Sequence, residues 1–280
     1  MPERADAMKK VAIRDMTHAE FAERMKEPAV ILVPLGSQEQ QGPHAPMGDF
    51  MLTERLAEMS ARIGGGLAAP TLPFGHAEFF RSMPGGIQLR AETFCAVLED
   101  MLGAFLDHGH ERLLIFNGHT TNASLIDRVA RKIRRERGTA VASLNIWKIL
   151  PERLWDELYG EAGARVRGHG GEPLTSVCMH LFPELMRRDL ARTPSPRGKA
   201  FGLPIAGVSG ARFEGQPVQL PLDCHEVDRE GLLGGISDMA SADKGRAICD
   251  HIVGHTARLM RHLLQYDPRK MLADVDGNHD

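Results

Sequence analysis

The sequence predicts an α/β fold, because short apolar runs rich in β-branched residues alternate with longer stretches of helical period. Each apolar run is also followed by Gly, Pro or Asn, where a turn is expected. The predicted strands cover 29–35, 67–72, 112–116 and 140–146. Binding sites in such folds form beyond strand ends, so the polar residues there are candidates for the functional site.

Three helices have a readable start or face. Thr17 is predicted to cap the first helix, with Glu20 three residues later completing a capping box. Residues 122–137 carry apolar side chains on one face and basic ones elsewhere, which is typical of a helix with a solvated face. A further helix is predicted to open at Pro173, because proline suits the first helical turn.

The chain is predicted to form a single domain over residues 1–280 with two irregular segments. Residues 192–234 are rich in Gly, Pro and polar residues without a sustained period. They predict a long loop excursion that serves as a lid or an oligomer contact. Residues 266–280 are predicted to be a flexible tail.

Composition argues against two classes of partner. The net charge is -3 and the pI is about 6.5, so no global attraction to nucleic acid or to an anionic membrane is expected. The N-terminus lacks the apolar core of a signal peptide, and no stretch approaches the roughly 18 apolar residues of a membrane span. The four cysteines form no C-x-x-C pair. We therefore expect a cytoplasmic protein with free, buried thiols.

The densest polar cluster, residues 36–49, follows the first predicted strand. Its glycines and prolines predict a rigid loop, which can hold Glu39 and Asp49 at a fixed separation. A solvated turn is the alternative interpretation.

A second cluster places His119 between a strand and a helix. A neutral imidazole there is a good transition-metal ligand, and with Glu39 and Asp49 it would complete a three-ligand hydrolytic site. Alternatively, His119 only forms hydrogen bonds at the start of the helix.

The third cluster brings His169 and Glu172 to the start of the helix at Pro173. Its glycines let the backbone approach a ligand closely. Glu172 is a candidate catalyst, or else a charge partner for the N-terminus of that helix.

Together the three clusters resemble the creatininase (creatinine amidohydrolase) family. The first is similar to its pattern Gly-Ser-x-Glu-Gln-His-Gly-Pro-His-x-Pro followed by Asp. The second is similar to its Asn-Gly-His, and the third to its His-Ala-Gly-Glu segment. Further similar segments extend the resemblance over roughly residues 15–265. It implies a three-layer α/β/α sandwich around a mostly parallel sheet, a homohexamer and a two-metal centre.

By this resemblance Glu39 and His119 are ligands of the first metal, and Asp49 bridges both metals. The second site departs from the family, because Gln41 replaces a histidine ligand and Thr121 replaces a glutamate. A glutamine amide binds borderline metals more weakly than imidazole does. Further candidates for the second metal or the substrate are Glu172, His44 and His76.

The resemblance implies hydrolysis assisted by Zn²⁺, Mn²⁺ or Fe²⁺, with one or two ions per chain and attack by metal-bound hydroxide. His169 matches the family's catalytic histidine, and Glu172 is the other candidate to carry the proton. Leu174, Phe79 and Phe80 replace polar residues of relatives, so one wall of the pocket is expected to be apolar.

The expected reaction is opening of a cyclic amide or a related C–N bond in a small cyclic substrate. One alternative is ring opening of an inositol-derived cyclic polyol diketone by C–C hydrolysis. Another, from a different class, is a non-catalytic binding protein on a decayed creatininase fold. A peptidase role is also implied by the resemblance, but no residue here points to a peptide.

Overall fold

A four-stranded parallel sheet forms the centre of the computed structural model, which describes residues 10–195 and 198–270. Its strands are β1 (Ile31–Leu35), β2 (Leu67–Ala68), β3 (Leu113–Asn117) and β4 (Ala142–Asn145), in the order β2-β1-β3-β4. All four lie within the predicted strands or one residue beyond them. Because the strands are parallel, their carboxyl ends meet at a single edge of the sheet.

Nine α-helices are described in residues 10–195 and 198–270. They are α1 (His18–Arg24), α2 (Asp49–Gly64), α3 (Ala91–Asp107), α4 (Ala123–Arg137), α5 (Glu152–Tyr159), α6 (Gly163–Val166), α7 (Leu174–Leu181), α8 (Cys224–Val227) and α9 (Ala242–Leu263). The predicted helices at 17, 122–137 and 173 correspond to α1, α4 and α7. The capping box is also present, since Glu20 N donates to Thr17 Oγ1 at 3.2 Å and Thr17 N donates to Glu20 Oε2 at 2.7 Å.

Each face of the sheet is covered by its own layer of helices, because neighbouring side chains of a strand point to opposite faces. Leu32 and Leu114 belong to the core that includes α2, α7 and α9. Ile31 and Ile115 belong to the core that includes α3 and α4. The predicted three-layer α/β/α sandwich is therefore confirmed.

The excursion predicted as a loop contains a second, antiparallel sheet. Its strands are β5 (Lys199–Ala200), β6 (Leu203–Gly207), β7 (Gly210–Phe213) and β8 (Gln216–Gln219), in that order. The sequence did not reveal them, because strands of two to five residues with largely exposed side chains show no apolar alternation. In the turns of this sheet, Phe201 and Glu214 adopt positive φ. This conformation is uncommon for phenylalanine and glutamate, so the sequence did not predict these turns.

The two ends of the excursion meet at the buried carboxylate of Asp228. It accepts hydrogen bonds from the backbone N–H of Ser195 at 2.6 Å, Glu230 at 2.8 Å and Leu232 at 3.2 Å. We call residues 223–234 the return leg of the excursion. Asp228 fixes this leg against the outgoing end of the same excursion.

The first residues of the predicted tail contact the body of the protein. Ala140 N donates to Pro268 O at 2.9 Å, and Arg269 pairs with Glu111. Residues 271–280 of the predicted tail lie outside the described residues. The single-domain organisation stays a prediction.

The membrane and thiol predictions concern the same described ranges. Within them, no helix combines the length and apolar character that a membrane crossing requires. All four cysteines are buried free thiols, as predicted.

Candidate metal centre and active-site cleft

The candidate metal ligands stand at the carboxyl edge of the parallel sheet. Glu39 lies in the loop after β1, Asp49 is the first residue of α2, and His119 follows β3 by two residues. Gly118 allows the β3 loop to touch α2, because a Cβ on it would lie 1.7 Å from Thr53 Oγ1. This close approach of backbone to helix brings the two loops together.

The three side chains converge on one buried point, as the sequence predicted. Their ligand atoms lie within 4.8 Å of one another. His119 Nδ1 is 2.8 Å from Asp49 Oδ2, and His119 Nε2 is 3.5 Å from Glu39 Oε2. Ser37 N donates to the other Asp49 oxygen at 2.6 Å, which fixes that carboxylate.

Burial shapes the protonation of this group. It raises the pKa of both Glu39 and Asp49, because a buried carboxylate loses its hydration. Burial alone would lower the pKa of His119, but the two neighbouring acids raise it above its ordinary value. Without a cation the group therefore retains protons at neutral pH.

The residues fit a divalent transition-metal ion. Glu39 Oε2 is buried and has no hydrogen-bond partner among the described residues, although a buried carboxylate oxygen normally has one. Two carboxylates and an imidazole are ligands that Zn²⁺, Mn²⁺ and Fe²⁺ accept. A cation at this point would pair with the unpartnered oxygen and offset the two buried charges.

Gln41 and Thr121, candidates for a second metal, are engaged with protein groups. Gln41 Nε2 donates to Glu39 Oε1 at 3.3 Å. The Thr121 hydroxyl donates to the His76 carbonyl at 2.6 Å and lies 2.5 Å from His119 Nε2. Both therefore contact candidate ligands of the first metal directly.

His76 and His44 face other protein groups as well. His76 Nδ1 lies 2.9 Å from the Leu89 carbonyl, and His44 Nε2 lies 3.3 Å from Thr175 Oγ1. In the described part of the chain, one group of three His, Cys, Asp or Glu side chains can hold a metal ion, and it contains neither histidine.

His169 lies beside this group with its ring held on two sides. Its Nε2 lies 2.7 Å from the Gln40 carbonyl and donates to it, and its Nδ1 lies 3.7 Å from Glu39 Oε1. The Phe80 ring packs on the imidazole with centroids 4.4 Å apart. Burial lowers the pKa of His169 to about 3, so the ring is neutral. Because Nε2 donates to the Gln40 carbonyl, Nδ1 is bare and faces Glu39.

Glu172 is buried at the start of α7 and contacts that helix. Its Oε1 accepts from Ser176 Oγ at 2.8 Å, and its Oε2 accepts from Ser176 N at 3.3 Å. Burial raises the pKa of this carboxyl group. These contacts match the interpretation of Glu172 as a charge partner of the helix N-terminus.

A cleft of about 310 Å³ opens above these residues. It is lined by Glu39, Gln41, Asp49, Phe79, Phe80, Gly118, His119, Thr120, Thr121, Trp147, Gly168, His169, Glu172, Pro173, Leu174 and Leu233. The apolar wall predicted from Phe79, Phe80 and Leu174 is present.

Two residues that line the cleft, and a third that contacts His169, were missed in the sequence. Trp147 follows the end of β4, a position that marks candidate site residues, and its Nε1 donates to the Gly118 carbonyl. Leu233 and Gln40 gave no signal of their own, because their roles depend on the return leg folding onto the β1 loop.

Comparison with known proteins supports the resemblance. The family model described as creatinine amidohydrolase matches residues 14–260. The 3-dehydro-scyllo-inosose hydrolase of Thermotoga maritima is 26% identical over 280 residues, covering 95% of this chain and 88% of that protein. The creatinine amidohydrolase of Pseudomonas putida is 28% identical over 203 residues, covering 65% of this chain and 75% of that protein.

Solved creatininase structures share the fold. A manganese creatininase and a mutant creatininase of Zn-Zn type each superpose with a TM-score of 0.73 at 24% identity, covering 92% of this chain and 100% of theirs. The family model spans the candidate metal ligands, the cleft and the whole parallel sheet. With the loop clusters converging as its pattern requires, this chain belongs to the creatininase family of hydrolases.

Proposed function

We propose that this protein hydrolyses a cyclic amide or a related C–N bond in a small, uncharged ring. The observation that carries the proposal is the buried convergence of Glu39, Asp49 and His119 on the floor of the cleft. These three side chains would hold one divalent ion. When bound, such an ion lowers the pKa of water from about 15.7 towards 7 and polarises a carbonyl group.

His169 is the residue that we propose to move the proton. Its neutral ring presents an unprotonated Nδ1 to the cleft, 3.7 Å from Glu39 Oε1. This nitrogen can accept a proton from the attacking water and return it to the leaving nitrogen. Glu172, whose carboxylate is bonded to Ser176, is the second candidate for this role.

The charge of the lining supports an uncharged substrate. The residues lining the cleft, all within the described ranges, include the acids Glu39, Asp49 and Glu172 but no lysine or arginine. An ion bound by Glu39 and Asp49 would be neutralised by their charges, so nothing would remain to pair with an anionic substrate. Trp147 and Phe79 add flat apolar walls that suit a ring.

A second candidate reaction is C–C hydrolysis that opens an inositol-derived cyclic diketone. The Thermotoga relative, named 3-dehydro-scyllo-inosose hydrolase, supports it because its alignment covers 95% of this chain. Both reactions would use the same polarised carbonyl.

Isotope labelling separates the two reactions. Purified protein is incubated with cyclic amides and with inositol-derived diketones in D₂O, and products are followed by mass spectrometry and NMR. Hydrolysis of a C–N bond yields a carboxylate and an amine. Hydrolysis of a C–C bond yields a carboxylate and places one deuterium on carbon, above the level of a no-enzyme control.

Variants link any turnover to the site. Glu39→Ala is expected to abolish both metal binding and turnover, and His169→Gln to abolish turnover while keeping the metal. Turnover of neither substrate class by metal-loaded protein would favour a non-catalytic binding protein on this fold. Purified protein without any transition metal, and without uptake of added Zn²⁺, Mn²⁺ or Fe²⁺, would contradict the proposal altogether.

The number of metal ions is part of the proposal. Gln41 and Thr121 contact ligands of the first metal and bring no charge of their own, which supports one ion per chain. Elemental analysis of the purified protein by plasma mass spectrometry gives both the identity and the count. A ratio of two ions per chain would overturn the one-ion proposal.

We propose a cytoplasmic homo-oligomer, with a hexamer as the expected size. Four free thiols suit a reducing compartment. Two large apolar side chains on the second sheet support self-association, since Phe201 is 90% exposed and Phe213 is 54% exposed. Light scattering after size-exclusion chromatography measures the assembly. A monomer at micromolar concentration would contradict it.

A further inference from the structure

The side chain of Gln40 joins the β1 loop to the return leg. Its Oε1 accepts from Gly42 N at 2.7 Å, which fixes which end of the amide is oxygen. The opposite end, Nε2, donates to the Gly231 carbonyl at 2.8 Å and faces Cys224 Sγ at 3.9 Å. One amide hydrogen is therefore held by the Gly231 carbonyl, and Cys224 offers a second, longer contact on the same leg.

The same residue presents two competing groups to one nitrogen of His169. The Gln40 backbone carbonyl lies 2.7 Å from His169 Nε2, and the Gln40 amide nitrogen lies 2.9 Å from it. A carbonyl accepts only if Nε2 carries the hydrogen, whereas an amide N–H donates only if Nε2 is bare. The two groups thus favour opposite tautomers of a neutral imidazole.

The return leg decides between them. Gly231 holds the amide at 2.8 Å and Cys224 Sγ lies 3.9 Å from it, so the amide is kept on the return leg. The carbonyl, which is the nearer group to Nε2 at 2.7 Å, then fixes the tautomer with hydrogen on Nε2. That tautomer leaves Nδ1 bare towards Glu39. The opposite tautomer would place a hydrogen on Nδ1 and remove its capacity to accept a proton.

We propose that Gln40 is a positioning residue through which the return leg sets the tautomer of His169. The inference rests on the proposed role of His169 as the proton acceptor. The backbone of the return leg also meets His169 directly, since Leu233 N donates to the His169 carbonyl at 3.1 Å. The return leg therefore contacts the backbone of His169 directly and its ring through Gln40.

Gly231 offers a way to break the contact without altering the β1 loop. A Cβ at this position would lie 2.5 Å from Gln40 Nε2, so Gly231→Ala displaces the flexible end of the glutamine. It also strains the return leg locally, because Gly231 has a φ of +76°. The freed amide can then donate to His169 Nε2. Gln40→Met removes the amide but keeps the backbone carbonyl. The double variant combines both changes.

The direct test is ¹⁵N NMR of histidine-labelled protein without substrate, with the His169 signals identified by their loss in His169→Gln. We expect hydrogen on Nε2 in the wild type and in Gln40→Met, a shift towards hydrogen on Nδ1 in Gly231→Ala, and a return to Nε2 in the double variant. If Gln40 had only a structural role, the double variant should instead differ from the wild type more than either single variant does.

Kinetics provide a second readout. Gly231→Ala should lower kcat by about 100-fold with KM nearly unchanged, since a positioned base contributes about 10²–10⁴-fold. The double variant should recover most of that loss. Gln38→Met, in the same loop, is the matched control and should match the wild type in both readouts.

Three outcomes would overturn the inference: an Nδ1-protonated His169 in the wild type, an unchanged tautomer in Gly231→Ala, or no recovery in the double variant. Circular dichroism and metal content verify that each variant is folded. The NMR result stands without any substrate. If the tautomer responds as expected while no ring compound is turned over, the proposed reaction fails and the inference about the tautomer does not.

Discussion

Glu39, Asp49 and His119 are each costly to bury alone, yet all three are almost fully buried. Their proximity offsets part of that cost, because two acids and an imidazole can share protons. The unpartnered Glu39 Oε2 shows that this compensation is incomplete without a cation. The three side chains therefore form a candidate metal centre, and we expect them to lower the stability of the metal-free protein.

Replacement of Glu39 separates metal binding from folding. Glu39→Gln keeps the size of the side chain but removes its charge, so the apparent metal affinity should fall by more than about 100-fold. The free energy of unfolding of the metal-free protein should not fall, because a buried acid is removed. Isothermal titration calorimetry and urea denaturation measure the two quantities. The exposed Glu136→Gln is the control, and unchanged affinity in Glu39→Gln would contradict the ligand assignment.

Metal binding should release protons near neutral pH. The raised pKa values of Glu39, Asp49 and His119 mean that the metal-free group still carries protons there, and a bound ion requires their loss. Apparent affinity should therefore rise as the pH increases from 6 towards about 8. Calorimetry in buffers of different ionisation enthalpy counts the protons. Affinity that does not change with pH would show that the group is already deprotonated.

The candidate metal ligands could be identified from the sequence, but the groups that support His169 could not. Glu39, Asp49 and His119 were recognisable because chemically distinctive side chains follow apolar strands. Gln40 and Gly231 were not, because their hydrogen bond joins residues 191 positions apart and depends on how the return leg folds back. An amide whose partner is a distant backbone carbonyl leaves no local pattern.

The elements that position the cleft divide into those with strong local signals and those without. The helix at Thr17 and the helix 122–137 were predicted because a capping box and an apolar face act within a few residues. The short strands of the excursion have neither signal, and their pairing is set by turns at Phe201 and Glu214. Helix α7 was predicted, but the sequence did not decide whether Glu172 at its start is a catalyst or a charge partner of the helix N-terminus.

Ser176 tests the role of Glu172 at the start of α7. Ser176→Ala removes the hydroxyl that donates to Glu172 Oε1 at 2.8 Å and accepts from Ser241 N at 3.1 Å. Leaving a buried carboxylate short of a donor should lower the free energy of unfolding by about 1–3 kcal/mol. Urea denaturation measures the loss. Ser60→Ala in α2, where the hydroxyl donates to an in-helix carbonyl, is the matched control and should cost less. Equal effects in both variants would contradict the proposed support of Glu172.

Within the described ranges, the second sheet contributes no residue to the lining of the cleft, whereas the return leg does. Its strands pair with one another in the order β5-β6-β7-β8, and its largest apolar side chains are exposed. The return leg, by contrast, supplies Leu233 to the cleft and Gly231 to Gln40. We therefore expect the sheet to serve assembly and the return leg to serve catalysis.

Removal of the second sheet tests this division. Its first and last strands lie three strand spacings apart, about 14 Å, which about six Gly and Ser residues can span. Replacing residues 199–219 by such a linker should preserve metal content and lower the oligomeric state, measured by elemental analysis and light scattering. Phe201→Asp alone should weaken assembly in the same direction. Loss of the metal in the shortened protein would contradict the division.

The buried carboxylate of Asp228 has a consequence for how such a protein can diverge. It accepts hydrogen bonds from Ser195 at one end of the excursion and from residues 230 and 232 at the other. These bonds hold the two ends together next to the part of the return leg that contacts His169. We therefore expect insertions, deletions and surface substitutions between Ser195 and Asp228 to leave the position of His169 unchanged. Related proteins can thus diverge in this segment and bind different partners while the reaction stays the same.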